Sequence, residues 1–240
     1  MAMNSVKGII FDYGGTIDTN GIHWGELIWE QYRQAGAKIS HELYREAYVH
    51  GERTLGKQRI IEPTDTFHRL LEKKTAIQFD YLKANTAHDT LTDTLQQQIV
   101  ERCYTKAKET IAKNCEIVKA VCEKRRAVLV TNFYGNMPVV LKEFALDNIF
   151  GTIVESSIVG IRKPDPRIFS LGVEAMQLPP EEVVVIGDSY KKDIYPALSI
   201  GCKTVWLKKV CWEEESIIPG YEPTAIIESL EQLPTLMLQS

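Results

Sequence analysis

Residues 8–18 read GIIFDYGGTID. The run Ile9-Ile10-Phe11 stops abruptly on Asp12, and Tyr13, two glycines and Thr16 follow. A short apolar run rich in β-branched and aromatic residues, bounded by turn residues, reads as a strand buried on both faces. An aspartate at its end sits where a sheet opens to solvent. Four further runs have the same form: AVLVTNF at 127–133, TIVESS at 152–157, EVVVIGDS at 182–189 and KTVWLK at 203–208. Near-continuous apolar strands separated by helical patterns predict an α/β fold, a doubly wound, Rossmann-like parallel sheet covered by helices.

About a hundred residues separate the first strand from the second, far more than one crossover helix needs. This stretch carries apolar residues at helical spacing, as in Trp24, Leu27 and Ile28, or Ile99 and Cys103. It predicts an inserted helical cap over 20–107, with 1–19 and 108–240 forming the core. Ser40, Asp65 and Thr92 each precede a helical pattern and offer an oxygen to its unpaired amides. Trp24, Trp29, Tyr32 and Tyr44 line either a pocket or the cap's own core. WEEESIIPGYEPT at 212–224 reads as a polar loop with a solvated acidic run before a last short helix.

With 240 residues, a formal charge of -4 and 25% charged residues, the chain has no electrostatic footprint for nucleic acid or an anionic membrane. No basic segment leads into an apolar one at the start, and no run approaches the roughly 18 residues of a membrane span. The five cysteines (Cys103, Cys115, Cys122, Cys202 and Cys211) are scattered, with no C-x-x-C pair. A soluble cytoplasmic protein with reduced thiols is expected, acting on a small molecule.

Polar residues stand at the carboxyl ends of the expected strands, where open α/β sheets gather ligands. They are Asp12, then Thr131 with Asn132, then Lys163 in GIRKPDPRIF at 160–169, and Asp188 with Asp193 in GDSYKKD at 187–193. Carboxylates, a hydroxyl and an ammonium on one rim make a place for a divalent cation beside a phosphate. Oxygen donors of this kind suit Mg²⁺. Taken singly, each group also reads as a turn or a helix cap.

FDYGGT, VTN, the lysine of GIRKPDPRIF and GDSYKKD, in that order, resemble the four motifs of the haloacid dehalogenase-like superfamily, and the helical insert resembles the cap shared by its dehalogenases, phosphoglycolate phosphatases and β-phosphoglucomutases. The resemblance implies Asp12 as the nucleophile that takes the phosphoryl group, Thr131 and Asn132 on the phosphate, and Lys163 as the charge between them. It implies Mg²⁺ held by Asp12, the Gly14 backbone carbonyl and Asp188, with Asp193 steadying that set.

One position departs from the pattern. The family's phosphatases carry a second aspartate at the place of Gly14, an acid toward the leaving alcohol and then a base toward water. Gly14 can do neither, although its carbonyl still reaches a metal. General acid–base catalysis is worth about 10²- to 10⁴-fold. Slow turnover, with a burst of leaving-group release, is therefore expected unless another group serves. His23 and Asp18 lie nearby, each also readable as a helix-start or turn residue. Three readings stay open: a Mg²⁺-dependent phosphohydrolase; carbon chemistry of the dehalogenase or phosphonatase kind, the latter calling on Lys57 in the cap; and a silent phosphate-binding or regulatory protein.

Overall fold

The computed structural model describes residues 3–86 and 90–238. Strand β1 (Gly8–Phe11) lies at the centre of a six-stranded sheet with β2 (Arg126–Thr131), β3 (Thr152–Glu155), β4 (Val183–Gly187), β5 (Lys203–Leu207) and β6 (Ala225–Ile227). The order is β3-β2-β1-β4-β5-β6 and every pairing is parallel. The chain builds outward from β1 through β2 to β3, then crosses back to place β4 on the other side of β1. That reversal makes a switch point, with a crevice at the carboxyl ends of β1, β2 and β4.

Alternation within the strands divides the core. Ile9, Phe11, Leu129, Val184 and Ile186 face one cluster, whereas Ile10, Val128, Val130, Val183 and Val185 face the other with Phe169 and Val173 of the helix Arg167–Met176. Both faces are covered, which is why the strands read as unbroken apolar runs.

Between β1 and β2 stand α1 (Trp24–Gln34), α2 (His41–Lys57), α3 (Phe67–Asn85) and α4 (Asp93–Cys122). Ser40 caps α2 and Thr92 caps α4, as expected. Asp65 does not cap α3. Thr66 takes that position, its hydroxyl accepting from Arg69 N, while the Asp65 carboxylate accepts from Glu62 N at 2.8 Å and pairs with Lys73. The 30-residue α4 buries Ile99, Cys103, Ala107, Ile111, Cys115, Val118 and Cys122 along one stripe. It runs without a break from the cap helices to the sheet.

The three-residue strand β6 follows the 212–224 loop, where only a loop and a helix were expected. It is too short for a periodic signal and its exposed Ile226 faces away from the core. The loop's acidic run is not simply solvated. Glu215 accepts hydrogen bonds from Ser189 Oγ and the Tyr190 and Lys191 amides. Of the cap aromatics, Tyr32 and Tyr44 are fully buried and Trp29 stacks on His41. No described helix is long and apolar enough to cross a membrane.

Candidate active site

The ends of the three central strands converge on one group. Asp12, just beyond β1, accepts from Lys163 Nζ at 2.6 Å, and the same ammonium reaches Asp193 Oδ1 at 2.7 Å. Lys163 is 4% exposed and Asp193 2%, so this is a buried three-residue ion network. Asp193 Oδ2 also accepts from Ser189 N at 3.1 Å, which fixes the turn after β4. Thr16 Oγ1 lies 3.2 Å from Asp12 Oδ2 and 3.4 Å from Asp188 Oδ1, linking the two carboxylates.

Asn132 and Lys163 exchange two hydrogen bonds, Lys163 N to Asn132 Oδ1 at 2.9 Å and Asn132 Nδ2 to Lys163 O at 3.2 Å. Asn132 therefore holds the backbone that presents the lysine. Thr131 ends β2, buried, on the wall of the same cleft. Asp12, Gly14, Thr131, Asn132, Lys163, Asp188 and Asp193 all line it, so the candidates named at the strand ends meet there.

Asp12 and Asp193 share the Lys163 ammonium, and Asp188 stands close to both without touching it. Burial pushes Asp12 up to about 6, with Asp193 adding to the rise and Lys163 opposing it. Asp188 is driven well above the usual carboxylate range by burial and then by Asp193 and Asp12. Burial lowers Lys163, but Asp12 and Asp193 beside it outweigh this and raise it above its ordinary value, so it stays charged. Oxygens of Asp12, Asp188 and Asp193 lie within 4.8 Å of one another. An all-oxygen, anionic donor set of this size fits a hard divalent cation such as Mg²⁺.

Close packing requires the second of the two adjacent glycines and not the first. Gly15 has φ +93°, and a Cβ there would stand 2.4 Å from an Asp188 carboxylate oxygen. At Gly14 a Cβ would meet only Trp24 Cδ1, at 4.0 Å.

The far wall comes from the cap. Glu52 of α2 and Lys74 of α3 pair at 2.8 Å, and Tyr134 Oη donates to Glu52 at 3.1 Å. The sequence reading missed this trio. Its one signal was a lysine on the apolar stripe of α3, four residues after Leu70. Asp18, weighed with His23 as a stand-in for the missing acid and also as a turn residue, is 1% exposed and lines the cleft. His23 caps α1, its Nδ1 accepting from Gly25 N at 3.0 Å, and burial lowers it to about 3, leaving it neutral. Lys57 ends α2 exposed and is not among the lining residues.

Comparisons with known proteins bear on the family and the fold. A family profile described as haloacid dehalogenase-like hydrolase matches residues 6–201. A glyceraldehyde 3-phosphate phosphatase of Pyrococcus furiosus is 41% identical over 63 residues, so the match spans only 26% of either chain. The putative HAD-hydrolase YfnB from Bacillus subtilis, solved bound to magnesium, superposes with a TM-score of 0.60 at 17% identity, covering 97% of this chain and 98% of that one. The L-2-haloacid dehalogenase of Xanthobacter autotrophicus, with chloropropionic acid covalently bound, gives 0.60 at 12% identity, with the same coverages. With its sheet order, its helical cap and a profile match over most of its length, the chain belongs to the haloacid dehalogenase-like hydrolases.

Proposed function

We propose that this hydrolase is a Mg²⁺-dependent phosphohydrolase acting on a small phosphorylated metabolite through an aspartyl-phosphate at Asp12. The observation that carries the reading is the buried Lys163 ammonium between Asp12 and Asp193, beside a third carboxylate. A lysine so placed offsets the repulsion between a carboxylate nucleophile and a phosphate dianion. The Pyrococcus furiosus relative, a phosphatase by name, supports the same class.

Asp12, the Gly14 carbonyl, Asp188 and Asp193 would hold the Mg²⁺. When bound, the ion neutralises charge on the phosphate oxygens. Thr131 offers its hydroxyl to a phosphate oxygen, and Asn132 fixes the backbone of Lys163. Residues 1–19 and 108–240 form the core that carries these groups, and 20–107 the cap that covers them. The cleft measures about 130 Å³, room for a phosphate and a body of few carbons. Pockets for drug-sized ligands are roughly 300–1,000 Å³.

Dehalogenation of a 2-haloacid fits less well. Its substrate is itself a carboxylate, and Asp188 and Asp193 would add repulsion to the nucleophile's own. Phosphonate cleavage through a cap lysine has no support from Lys57, which stands outside the cleft.

The test is release of p-nitrophenol from its phosphate ester, with Mg²⁺ and with chelator, and acid-quench capture of phosphate on the protein. Mg²⁺-dependent release and labelling, both lost in Asp12→Asn, are expected. Release that persists in Asp12→Asn, or that ignores chelator, contradicts the reading.

A further inference from the structure

Transfer of a phosphoryl group from an alcohol leaves an alkoxide, which departs readily only if a proton meets it. Most polar groups of the cleft are otherwise engaged. Lys163 is held by Asp12 and Asp193, and Glu52 and Lys74 hold each other. The His23 ring is neutral and spends Nδ1 on the Gly25 amide. Asp18 is different: a fully buried carboxyl on the cleft wall that pairs with no cation among the described residues.

Its placement is fixed from several sides. Asp18 Oδ1 accepts from Gly15 N at 2.8 Å and Oδ2 from the Trp24 indole N–H at 2.7 Å. The neighbouring Ile17 carbonyl accepts from Asn114 Nδ2 of α4 at 2.8 Å, and the Asn20 side chain reaches Ser229 and Leu230. The Trp24 indole that holds Asp18 is also the nearest neighbour a side chain at residue 14 would have. Gly14 leaves open space beside Asp12, and the indole edge that borders this space through Cδ1 holds the Asp18 carboxyl through the adjacent Nε1, so both positions open on the same cleft. Burial raises Asp18 to about 7, against the pull of its two donors, so both protonation states are accessible near neutrality.

We propose that Asp18 is the acid and base of this active site, supplying from the turn after β1 what residue 14 does not. The inference rests on the phosphohydrolase reading above. In the first step an Asp12 oxygen forms a bond to phosphorus and the phosphorus–oxygen bond to the alcohol breaks. Its electron pair goes to the leaving oxygen, which takes the Asp18 proton and departs as alcohol. In the second step Asp18 carboxylate takes a proton from water, whose oxygen bonds to phosphorus. The Asp12–phosphorus bond returns its electrons to Asp12, releasing phosphate and a protonated Asp18.

The experiment compares single-turnover release of p-nitrophenol and of glycerol from their phosphate esters, both with Mg²⁺, in the wild type and in Asp18→Asn. Nitrophenolate departs without a proton, so its first equivalent should stay within about threefold of wild type, while glycerol release falls about 10²- to 10⁴-fold. Adding Gly14→Asp to Asp18→Asn should restore most of the glycerol release, because a carboxyl then enters the open space beside Asp12. If Asp18→Asn does not fold, Trp24→Phe keeps the carboxyl but frees it from its indole anchor. Glycerol release should then drop about tenfold with p-nitrophenol unchanged. An equal fall for both esters, or no fall for either, overturns the proposal. A wild type that releases no p-nitrophenol and takes up no phosphate on Asp12 overturns the parent reading instead.

Discussion

Lys163 Nζ stands 2.6 Å from Asp12 Oδ1, tying the loop before the helix Arg167–Met176 to the end of the central strand across 151 residues of sequence. Both side chains are almost wholly buried, at 2% and 8% exposure. Neither charge is tolerable there alone. Breaking such a pair from one side typically costs about 3–5 kcal/mol.

Lys163→Met is therefore expected to lose about 3–5 kcal/mol of stability at neutral pH. Without the ammonium, the folded-state value of Asp12, already raised by burial, rises further above its unfolded one. The folded protein then binds more protons than the unfolded, and stability falls as pH rises. Urea denaturation should show the variant more stable at pH 5 than at pH 7.5. Unchanged stability at pH 7.5 would contradict the buried network.

Asp188→Asn should abolish stabilisation by Mg²⁺. A ligand at 100 times its dissociation constant stabilises by about 2.7 kcal/mol if it binds only the folded state. Wild type should show a rise in Tm with Mg²⁺ that chelator reverses, and Asp188→Asn a flat response. An equal rise in both proteins would place the ion elsewhere.

The neighbouring glycines should respond oppositely to alanine. Gly15→Ala puts a methyl 2.4 Å from Asp188 at φ +93°, and is expected to cost about 1–3 kcal/mol and to displace that carboxylate. Gly14→Ala meets nothing closer than 4.0 Å and should leave Tm almost unchanged. Calorimetry on the two variants separates them, and a Gly15→Ala protein with wild-type Tm and Mg²⁺ response would refute the contact.

The Glu52–Lys74 pair should write an acid limb into the stability curve. Burial alone would raise Glu52, but Lys74 beside it outweighs this and holds it below its ordinary 4.5. A depressed carboxyl adds stability above its unfolded value, and that share is lost as pH falls through the lower folded value. Glu52→Gln should remove the limb and, by stranding buried Lys74, cost about 3–5 kcal/mol at pH 7. Glu52→Leu with Lys74→Met should recover most of that. Urea titrations run downward from pH 7 through the ordinary carboxylate range decide the matter.

Local pattern made much of the fold legible. Ile9-Ile10-Phe11 and the four runs like it announce strands because two-faced burial demands apolar residues at consecutive positions. Ser40 and Thr92 announce helix starts because a hydroxyl at that position meets an orphan amide three residues on. Where the cue was weak, the reading slipped. Asp65 and Thr66 are both good caps, and the choice fell to Lys73, eight residues away, which claims the aspartate.

The sequence by itself determined which groups lie at strand ends, since an apolar run interrupted by Asp12, by Thr131 or by Asp188 can stop in few other ways. Only the tertiary structure decided which of them touch. Whether Lys163 bridges Asp12 and Asp193, whether Asn132 holds that lysine's backbone, and that Lys74 of one cap helix finds Glu52 of another all depend on chain segments far apart in sequence. Their partners are chosen by sheet order and helix packing, through burial summed over the whole core. No spacing within one segment encodes that sum.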